Sequence, residues 1–213
     1  HHVPMIVDAS QSAGICLLDV RSLTSAVAVA MPGHKGLYGP QGTGILLWLA
    51  EKKPRPLLFG GTGSRSMEAE MPEELPDRLE AGTHAIPAIA GLAEGMRLVQ
   101  SIGVENIGAH ERALRRELTR QLQSIPGVRC LCSPWDERQT GVLSIVCDGM
   151  DTETLSQHLA EHDICVRSGL HCAPLAHQTT GTLETGTVRL SPGCFQTEQE
   201  MQETADTLQE ILL

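Results

Sequence analysis

Lys35 is a candidate for covalent binding of a carbonyl compound. It follows His34 in the Gly- and Pro-rich segment 32–44. A lysine that is desolvated beside another cationic group loses affinity for its proton, and its amine can then form a Schiff base. The alternative is a surface lysine in a flexible loop, which the tetrapeptide Gly-His-Lys-Gly alone does not exclude.

Cys172 is the candidate sulfur nucleophile. It lies in the segment 167–174, RSGLHCAP, where Arg167 and His171 are its positively charged neighbours. Positive neighbours favour the thiolate and a loop position makes it accessible, so a reactive thiol is predicted here. Cys132 is ambiguous, and the remaining cysteines lie in or beside apolar stretches and are expected to be inert packing residues: Cys16, Cys130, Cys147, Cys165 and Cys194.

Asp8 and Gln11 follow the first apolar run of the chain, at a position where open α/β sheets present ligand-binding groups. A carboxylate there can pair with the protonated nitrogen of a pyridine ring, and the amide of Gln11 can hydrogen-bond a ring oxygen. Taken alone, the pair fits a helix cap or a turn better. Because the strands before Asp8 and before Lys35 are successive, we expect these side chains on one rim of one sheet.

Arg189 and the Gly-Thr pairs are candidate anion sites. Arg189 ends an apolar run, and a guanidinium is the natural bidentate partner of a substrate carboxylate, although a solvated strand-end charge fits equally well. Gly82-Thr83 and Gly42-Thr43-Gly44 can contact phosphate, but such clusters are also common turns. A zinc site is a further alternative, since five potential ligands lie close in sequence: His162, Cys165, His171, Cys172 and His177.

The elements that must position these residues divide into a front and a back. The front has buried strands over 3–7 and 23–30, with 44–49 as the next such parallel strand, and an irregular segment 54–76 expected to be mobile unless covered. Helices are predicted over 86–101 and 104–124. The back predicts an antiparallel α+β layer: strands 128–132, 141–147, 164–167 and 187–191, helices 152–162 and 197–212, and a long loop 168–185.

Composition excludes several classes of function. The 213-residue chain has a net charge of −10 and no Lys/Arg cluster, so no nucleic-acid or membrane-surface partner is expected. No apolar run has the length of a membrane span, so a cytoplasmic location is the default. Seven cysteines without regular spacing indicate reduced thiols. His1 and His2 fit either a tag or the end of a preceding helix.

Taken in order, five segments resemble the cysteine desulfurase-like members of the class V aminotransferase superfamily over essentially the whole chain. The matching segments are Asp8–Gly14, Gly33–Gly44, Leu75–Thr83, Arg167–Pro174 and Val188–Ser191. The resemblance implies the α/β architecture of fold type I: residues 1–101 as a remnant of the large, mostly parallel PLP-binding domain, and residues 102–213 as a small α+β domain carrying the cysteine loop.

The resemblance also implies the residue roles. PLP is bound through Lys35, with Asp8 at the pyridine nitrogen, Gln11 at the ring oxygen, His34 near the phosphate and Thr83 at the phosphate of the neighbouring subunit. Arg189 holds the substrate carboxylate. Cys172 takes the sulfur of L-cysteine as a persulfide and alanine is released. A homodimer and a sulfur-acceptor protein or thiol are the implied partners.

The sequence departs from the family pattern in three places. Pro32 replaces a frequent hydroxyl residue, His84-Ala85 follows Gly82-Thr83 where an Asn is usual, and the long N-terminal portion of family members is missing. We therefore expect a fragment or truncated gene product, with an incomplete cofactor pocket and little or no turnover. The remaining alternatives are selenocysteine lyase, transamination or β-elimination, a non-catalytic remnant that folds without PLP, and a zinc-binding module.

Overall fold

The computed structural model describes residues 3–65, 67–131 and 139–213 of the chain. Two compact units follow one another along it, His1–Val104 and Glu105–Leu213. The first contains the Lys35 segment and the second contains the Cys172 segment. Residues 1 and 2 lie outside the described residues. So does Cys132, at the end of the predicted strand 128–132.

The first unit is built on a three-stranded sheet in the order β1-β2-β3: β1 Met5–Asp8, β2 Ala26–Pro32 and β3 Gly44–Trp48. β1 and β2 are parallel, and Asp8 pairs with Ala30 near their carboxyl ends. β3 runs antiparallel to β2, so the prediction of another parallel strand here is wrong in direction. The segment 33–43 between them is too short for the crossover helix that a parallel connection requires.

Few large side chains are buried in the first unit. Ala28 and Val29 of β2 are buried, whereas most residues of β1 and β3 are partly or fully exposed, which corrects the expectation of a buried strand at 3–7. The long helix α1 (Ile86–Ile102) has Pro87 in its first turn and ends at Gly103. Its buried side is formed by Leu92, Gly95 and Val99. The described residues of segment 54–76, namely 54–65 and 67–76, form no helix or strand.

The second unit is an α+β layer with a four-stranded, wholly antiparallel sheet in the order β4-β5-β7-β6. The strands are β4 Val128–Cys130, β5 Leu143–Cys147, β6 Arg167–Gly169 and β7 Thr187–Leu190. The helices are α2 Val104–Leu122, α3 Thr152–Glu161, α4 Pro174–Thr180 and α5 Glu198–Leu212. The antiparallel α+β layer predicted for the back of the chain is thus confirmed.

A continuous apolar core lies beneath this second sheet. Helices α2, α3 and α5 contribute buried leucines, and β5 and β7 add inward-facing residues. The members that are at most 1% exposed are Leu114, Leu118, Leu122, Leu143, Ile145, Leu155, Leu159, Val188 and Leu208. Burying one such side chain contributes about 1.5–3 kcal/mol. α5 starts with a capping box between Thr197 and Glu200, as its sequence pattern favours.

Two predictions for the back of the chain are wrong in detail. The paired strand is β6 at Arg167–Gly169 rather than 164–167, because Ile164 and Val166 pack on the core without joining the ladder. The predicted loop 168–185 contains α4, which begins at Pro174 where proline fits the first helical turn. Cys165 is exposed, which corrects its assignment as a packing residue.

Candidate active site

Asp8 lies at the carboxyl end of β1 and is exposed. Its Oδ1 accepts a hydrogen bond from the Ser10 amide at 2.9 Å. Hydrogen bonds from the Ser10 side chain and backbone hold the pKa of the Asp8 carboxyl below its usual value, and the charge of Lys35 lowers it further. Asp8 is therefore an anion at neutral pH and lies within electrostatic reach of Lys35.

The Lys35 loop is closed at its base and exposed at its tip. The Gly33 amide donates to the Thr43 carbonyl at 2.8 Å, and the Gly39 amide donates to the Gly33 carbonyl at 2.7 Å. Within this frame the Tyr38 amide donates to the Lys35 carbonyl at 2.9 Å, and Tyr38 has a positive φ of 54°. The side chain of Lys35 is exposed, so the loop presents the amine outward.

Two glycines allow the Asp8 turn and the Lys35 loop to touch. Gly14, in the turn after β1, has a φ of +87°, and a Cβ added there would overlap the carbonyl of Gly36. A Cβ on Gly36 would in turn overlap the carbonyl of Ala13. Only residues without a side chain permit this backbone approach. The parallel pairing of β1 and β2 places Asp8 and Lys35 at one sheet edge, as the order of strands predicted, and the two glycines let the loops meet there.

The other predicted cofactor residues are placed as follows. Gln11 and His34 are exposed beside Asp8 and Lys35 in sequence, on the same turn and the same loop respectively. Thr83 is exposed on a separate loop, where the neighbouring Gly82 amide donates to the Gly61 carbonyl at 2.8 Å. We call Asp8, Gln11, His34 and Lys35 the lysine cluster.

Cys172 lies in a tight turn at the start of α4, which we call the cysteine turn, Leu170–Ala173. The Ala173 amide donates to the Leu170 carbonyl at 2.9 Å, and the two central residues have positive φ angles, 51° at His171 and 61° at Cys172. Cys172 is exposed, and Arg167 Nη2 donates to its Sγ at 3.8 Å. The structure thus brings the predicted thiol together with a permanent cation.

His171 differs from its prediction as a positive neighbour of the thiol. Its Nε2 lies 3.1 Å from the Thr187 carbonyl and 2.9 Å from the Thr187 hydroxyl. Burial lowers the pKa of the His171 imidazole, and the charge of Arg189 lowers it further. An imidazole with a lowered pKa is neutral at pH 7, so Arg167 rather than His171 supplies positive charge near Cys172.

Arg189 lies in β7 directly opposite Arg167 in β6. Its Nε is buried, and no atom of the described residues accepts a hydrogen bond from it. Burial lowers the pKa of the Arg189 guanidinium and Arg167 lowers it further, while Cys172 opposes that shift. Like charges directly opposite each other destabilise a sheet, and an unsatisfied buried donor costs about 1–3 kcal/mol. Both features favour an anion at this position.

Across 3–65, 67–131 and 139–213, no group of three His, Cys, Asp or Glu side chains is arranged to hold a metal ion, so the zinc alternative gains no support there. In the same part of the chain, no helix combines the length and the apolar character needed to cross a bilayer.

The family model of class-V aminotransferases matches residues 1–203. The chain belongs to the class-V aminotransferase family. It is 37% identical to a probable cysteine desulfurase from Methanothermobacter thermautotrophicus, over 97% of this chain and 52% of that relative. A cysteine desulfurase from Synechococcus elongatus is 33% identical over 97% of this chain and 33% of its own length. The chain thus spans about half or less of these relatives.

Solved structures agree with this family membership. A cysteine desulfurase from Thermococcus onnurineus superposes with a TM-score of 0.84 at 30% identity, covering 98% of this chain and 52% of that one. The cysteine desulfurase CsdA from Escherichia coli gives a TM-score of 0.83 at 25% identity, covering 99% and 52%. These superpositions confirm the predicted fold class.

Sequence reasoning missed the residues that support the site. Ser10 holds Asp8 ionised, and its position two residues after an aspartate is a known signal for a side-chain turn. Thr187 anchors His171 across sixteen residues, and no local pattern announces that contact. The approach of Gly14 to Gly36 is equally non-local.

Proposed function

We propose that this chain forms part of a cysteine desulfurase, in which Lys35 binds PLP and Cys172 accepts sulfur from L-cysteine. The observation that carries the proposal is the exposed Cys172 thiol with Arg167 Nη2 at 3.8 Å from its Sγ, in a chain 37% identical to a probable cysteine desulfurase. An accessible thiol next to a permanent cation has the properties of a nucleophile.

The lysine cluster fits PLP. Lys35 offers an exposed amine for the cofactor aldehyde, and Asp8, whose lowered pKa keeps it an anion, offers a partner for a protonated ring nitrogen. Gln11 and His34 lie next to them for the ring oxygen and the phosphate region, and Thr83 is assigned to the phosphate bound by the neighbouring subunit. When bound, PLP supplies an electron sink for substrate carbon.

Arg189 is the proposed partner of the substrate carboxylate. An anion bound there accepts a hydrogen bond from the buried Nε, which has no acceptor among the described residues. Its negative charge also offsets the repulsion between Arg189 and Arg167. A guanidinium binds a carboxylate through two parallel hydrogen bonds, which fixes the orientation of the amino acid as well as its position. Arg167 is then left to stabilise the thiolate of Cys172.

The proposed sulfur transfer balances without a further reactant. The Cys172 thiolate forms an S–S bond with the sulfur of L-cysteine, and the carbon–sulfur bond of the substrate breaks. Its electron pair stays on the substrate carbon, which takes up a proton to become the methyl group of L-alanine. Cysteine and one enzyme thiol thus give alanine and one enzyme persulfide.

The remaining parts of the proposal concern the whole protein. The persulfide passes to an acceptor protein or thiol, two copies form a homodimer, and the enzyme works in the reducing cytoplasm, where its thiols stay free. Sedimentation of the purified protein tests the dimer, since a strictly monomeric species would remove the neighbouring subunit that the Thr83 assignment needs.

The desulfurase activity is tested in a hybrid in which this chain replaces the matching half of the Methanothermobacter thermautotrophicus relative. With PLP and L-cysteine, we expect alanine and a persulfide on Cys172 in equal amounts during the first turnover. Cys172→Ala should abolish persulfide and alanine formation together. The unaltered relative is the positive control.

Two outcomes would contradict the proposal. A folded hybrid that binds PLP but forms no alanine would exclude sulfur transfer by this chain. Sulfur release that continues at the same rate in Cys172→Ala would indicate simple elimination, in which the thiol of Cys172 has no role.

A further inference from the structure

The cysteine turn has a backbone conformation that its residues disfavour. Both central residues have positive φ angles, the pattern of a type I′ turn, in which Gly, Asn and Asp predominate. Here the two positions are occupied by His171 and Cys172. Gly169 just before the turn also has a positive φ, 98°, and a Cβ on Gly186 would come within 2.8 Å of the Gly169 Cα. Such strain persists only where surrounding contacts hold it.

The contact that holds this turn is made by His171. Its Nε2 lies 3.1 Å from the backbone oxygen of Thr187 in β7, and a carbonyl oxygen can only accept. Nε2 therefore carries the ring proton and donates, which ties the strained turn to the rigid sheet. The Thr187 hydroxyl lies 2.9 Å from the same nitrogen and reinforces the contact.

The other ring nitrogen shows that His171 is neutral in this position. Nδ1 is buried and no atom among the described residues hydrogen-bonds it. A second proton there would be a buried donor without an acceptor, which is costly. The charged and titratable groups that face the ring are Arg189 from β7, Arg167 from β6 and His177 from α4, and all of them oppose positive charge.

We propose that His171 is a positioning residue for Cys172: its neutral imidazole pins the strained turn to Thr187, so that the thiol is aimed at Arg167, whose guanidinium supplies stabilising charge. The inference deepens the proposed function, because it assumes that Cys172 is the reacting sulfur. Its test measures the reactivity of the Cys172 thiol rather than turnover. The positioning role of His171 can therefore be refuted while the desulfurase proposal stands, and the desulfurase proposal can be refuted while the positioning role stands.

The test is the pH profile of Cys172 alkylation by iodoacetamide in the intact chain, followed by peptide mass mapping. His171→Gln keeps a neutral donor that can reach Thr187, whereas His171→Lys introduces a positive charge and loses the imidazole geometry. We expect His171→Gln to stay within about twofold of wild type. We expect His171→Lys to react about tenfold more slowly at pH 7, because the turn is no longer tied to Thr187 and the thiol is no longer held towards Arg167. Exposed Cys165 is the internal control and should be unchanged.

Arg167 is tested in parallel. Arg167→Gln should slow the alkylation of Cys172 at pH 7, while Arg167→Lys should retain part of the wild-type rate. Wild-type reactivity in His171→Lys, together with a loss in His171→Gln, would show that His171 acts through charge and would overturn the proposal. An imidazole of His171 that is doubly protonated at pH 7, read from its ¹⁵N shifts, would overturn it as well.

Discussion

The two units of this chain position their candidate reactive side chains through different kinds of contact. In the first, Lys35 lies on a glycine-rich loop over a sheet whose strands are largely exposed, and close backbone contacts set its position. In the second, Cys172 lies on a strained turn above a closed apolar core, and side-chain hydrogen bonds set its position. Backbone packing governs the lysine cluster, whereas side-chain anchoring governs the cysteine turn.

This difference has a consequence for substitution. A position fixed by the absence of side chains is damaged by adding a methyl group, whereas a position fixed by anchors is damaged by removing one. The core beneath the second sheet further implies that the cysteine turn depends on cooperative folding of its unit. Sites held in strained conformations are generally over-determined by their surroundings in this way.

The largest effect is expected from the core of the second unit. Leu118→Ala removes a fully buried side chain from α2 and should lower the free energy of unfolding by about 2–5 kcal/mol, measured by urea titration. The matched control is Leu58→Ala in the first unit, where the side chain is 68% exposed and the change should stay within about 0.5 kcal/mol. Equal losses of unfolding free energy in the two variants would show that the two units do not differ in how strongly side-chain packing stabilises them.

A buried acid in α2 should make the stability of the second unit pH-dependent. Burial raises the pKa of Glu111 to about 7 from a model-compound value of 4.5. Between these pH values the unfolded chain releases the proton while the folded chain retains it, so stability falls as pH rises and the loss is complete above pH 7. Below pH 4.5 both states are protonated and the effect vanishes.

Wild type should therefore lose about 2–3 kcal/mol of unfolding free energy between pH 4.5 and 7.5, and Glu111→Gln should not show this loss. The measurement is the unfolding free energy of variant and wild type across this pH range. Glu105→Gln, at an exposed position of the same helix, is the control and should leave the pH dependence unchanged. A Glu111→Gln variant with the wild-type pH dependence would show that this carboxyl titrates normally in the folded chain.

The backbone contact of the first unit gives the next prediction. Gly14→Ala places a methyl group against the Gly36 carbonyl at a positive φ, and should cost about 1–3 kcal/mol and displace the Lys35 loop. The measurement is the yield of PLP trapped on Lys35 by borohydride, which should fall. Gly61→Ala, where an added Cβ would meet nothing within 4 Å, should keep the wild-type yield.

The smallest effect is expected at the start of α5. Thr197→Ala removes the hydroxyl that accepts from the Glu200 amide, while the Thr197 amide can still donate to the Glu200 carboxylate. The substitution should cost about 1 kcal/mol in thermal or urea unfolding, whereas Thr197→Ser should retain most of the stability. A larger loss in the alanine variant than in Leu118→Ala would mean that the helix end, rather than the core, controls the second unit.

Local sequence patterns predicted most of the helices and strands of this fold. Helical sequence patterns predicted α1, α2, α3 and α5, and the successive apolar runs before Asp8 and before Lys35 predicted their common sheet edge. The direction of β3 was predicted wrongly, although segment 33–43 before it is too short for a parallel crossover and so favours an antiparallel strand. α4 was missed because only seven residues form it and few of them are apolar.

The chemistry of the cysteine turn was less accessible to sequence reasoning. Adjacency of His171 to Cys172 suggested a positive neighbour, yet burial against Thr187 and Arg189 makes the imidazole neutral. Such a state depends on contacts across two strands rather than on neighbours in sequence. Arg167 was correctly placed next to the thiol because it precedes Cys172 by only five residues.

The most direct test of the central claim uses the lysines of this chain, which has only Lys35, Lys52 and Lys53. The purified chain is incubated with PLP, reduced with borohydride and mapped by peptide mass spectrometry, with Lys35→Ala as the control. We predict label confined to Lys35 and lost in Lys35→Ala, because Asp8 and the folded loop favour the cofactor there. Equal label on Lys52 and Lys53, or label that survives Lys35→Ala undiminished, would contradict the assignment of Lys35 as the cofactor lysine.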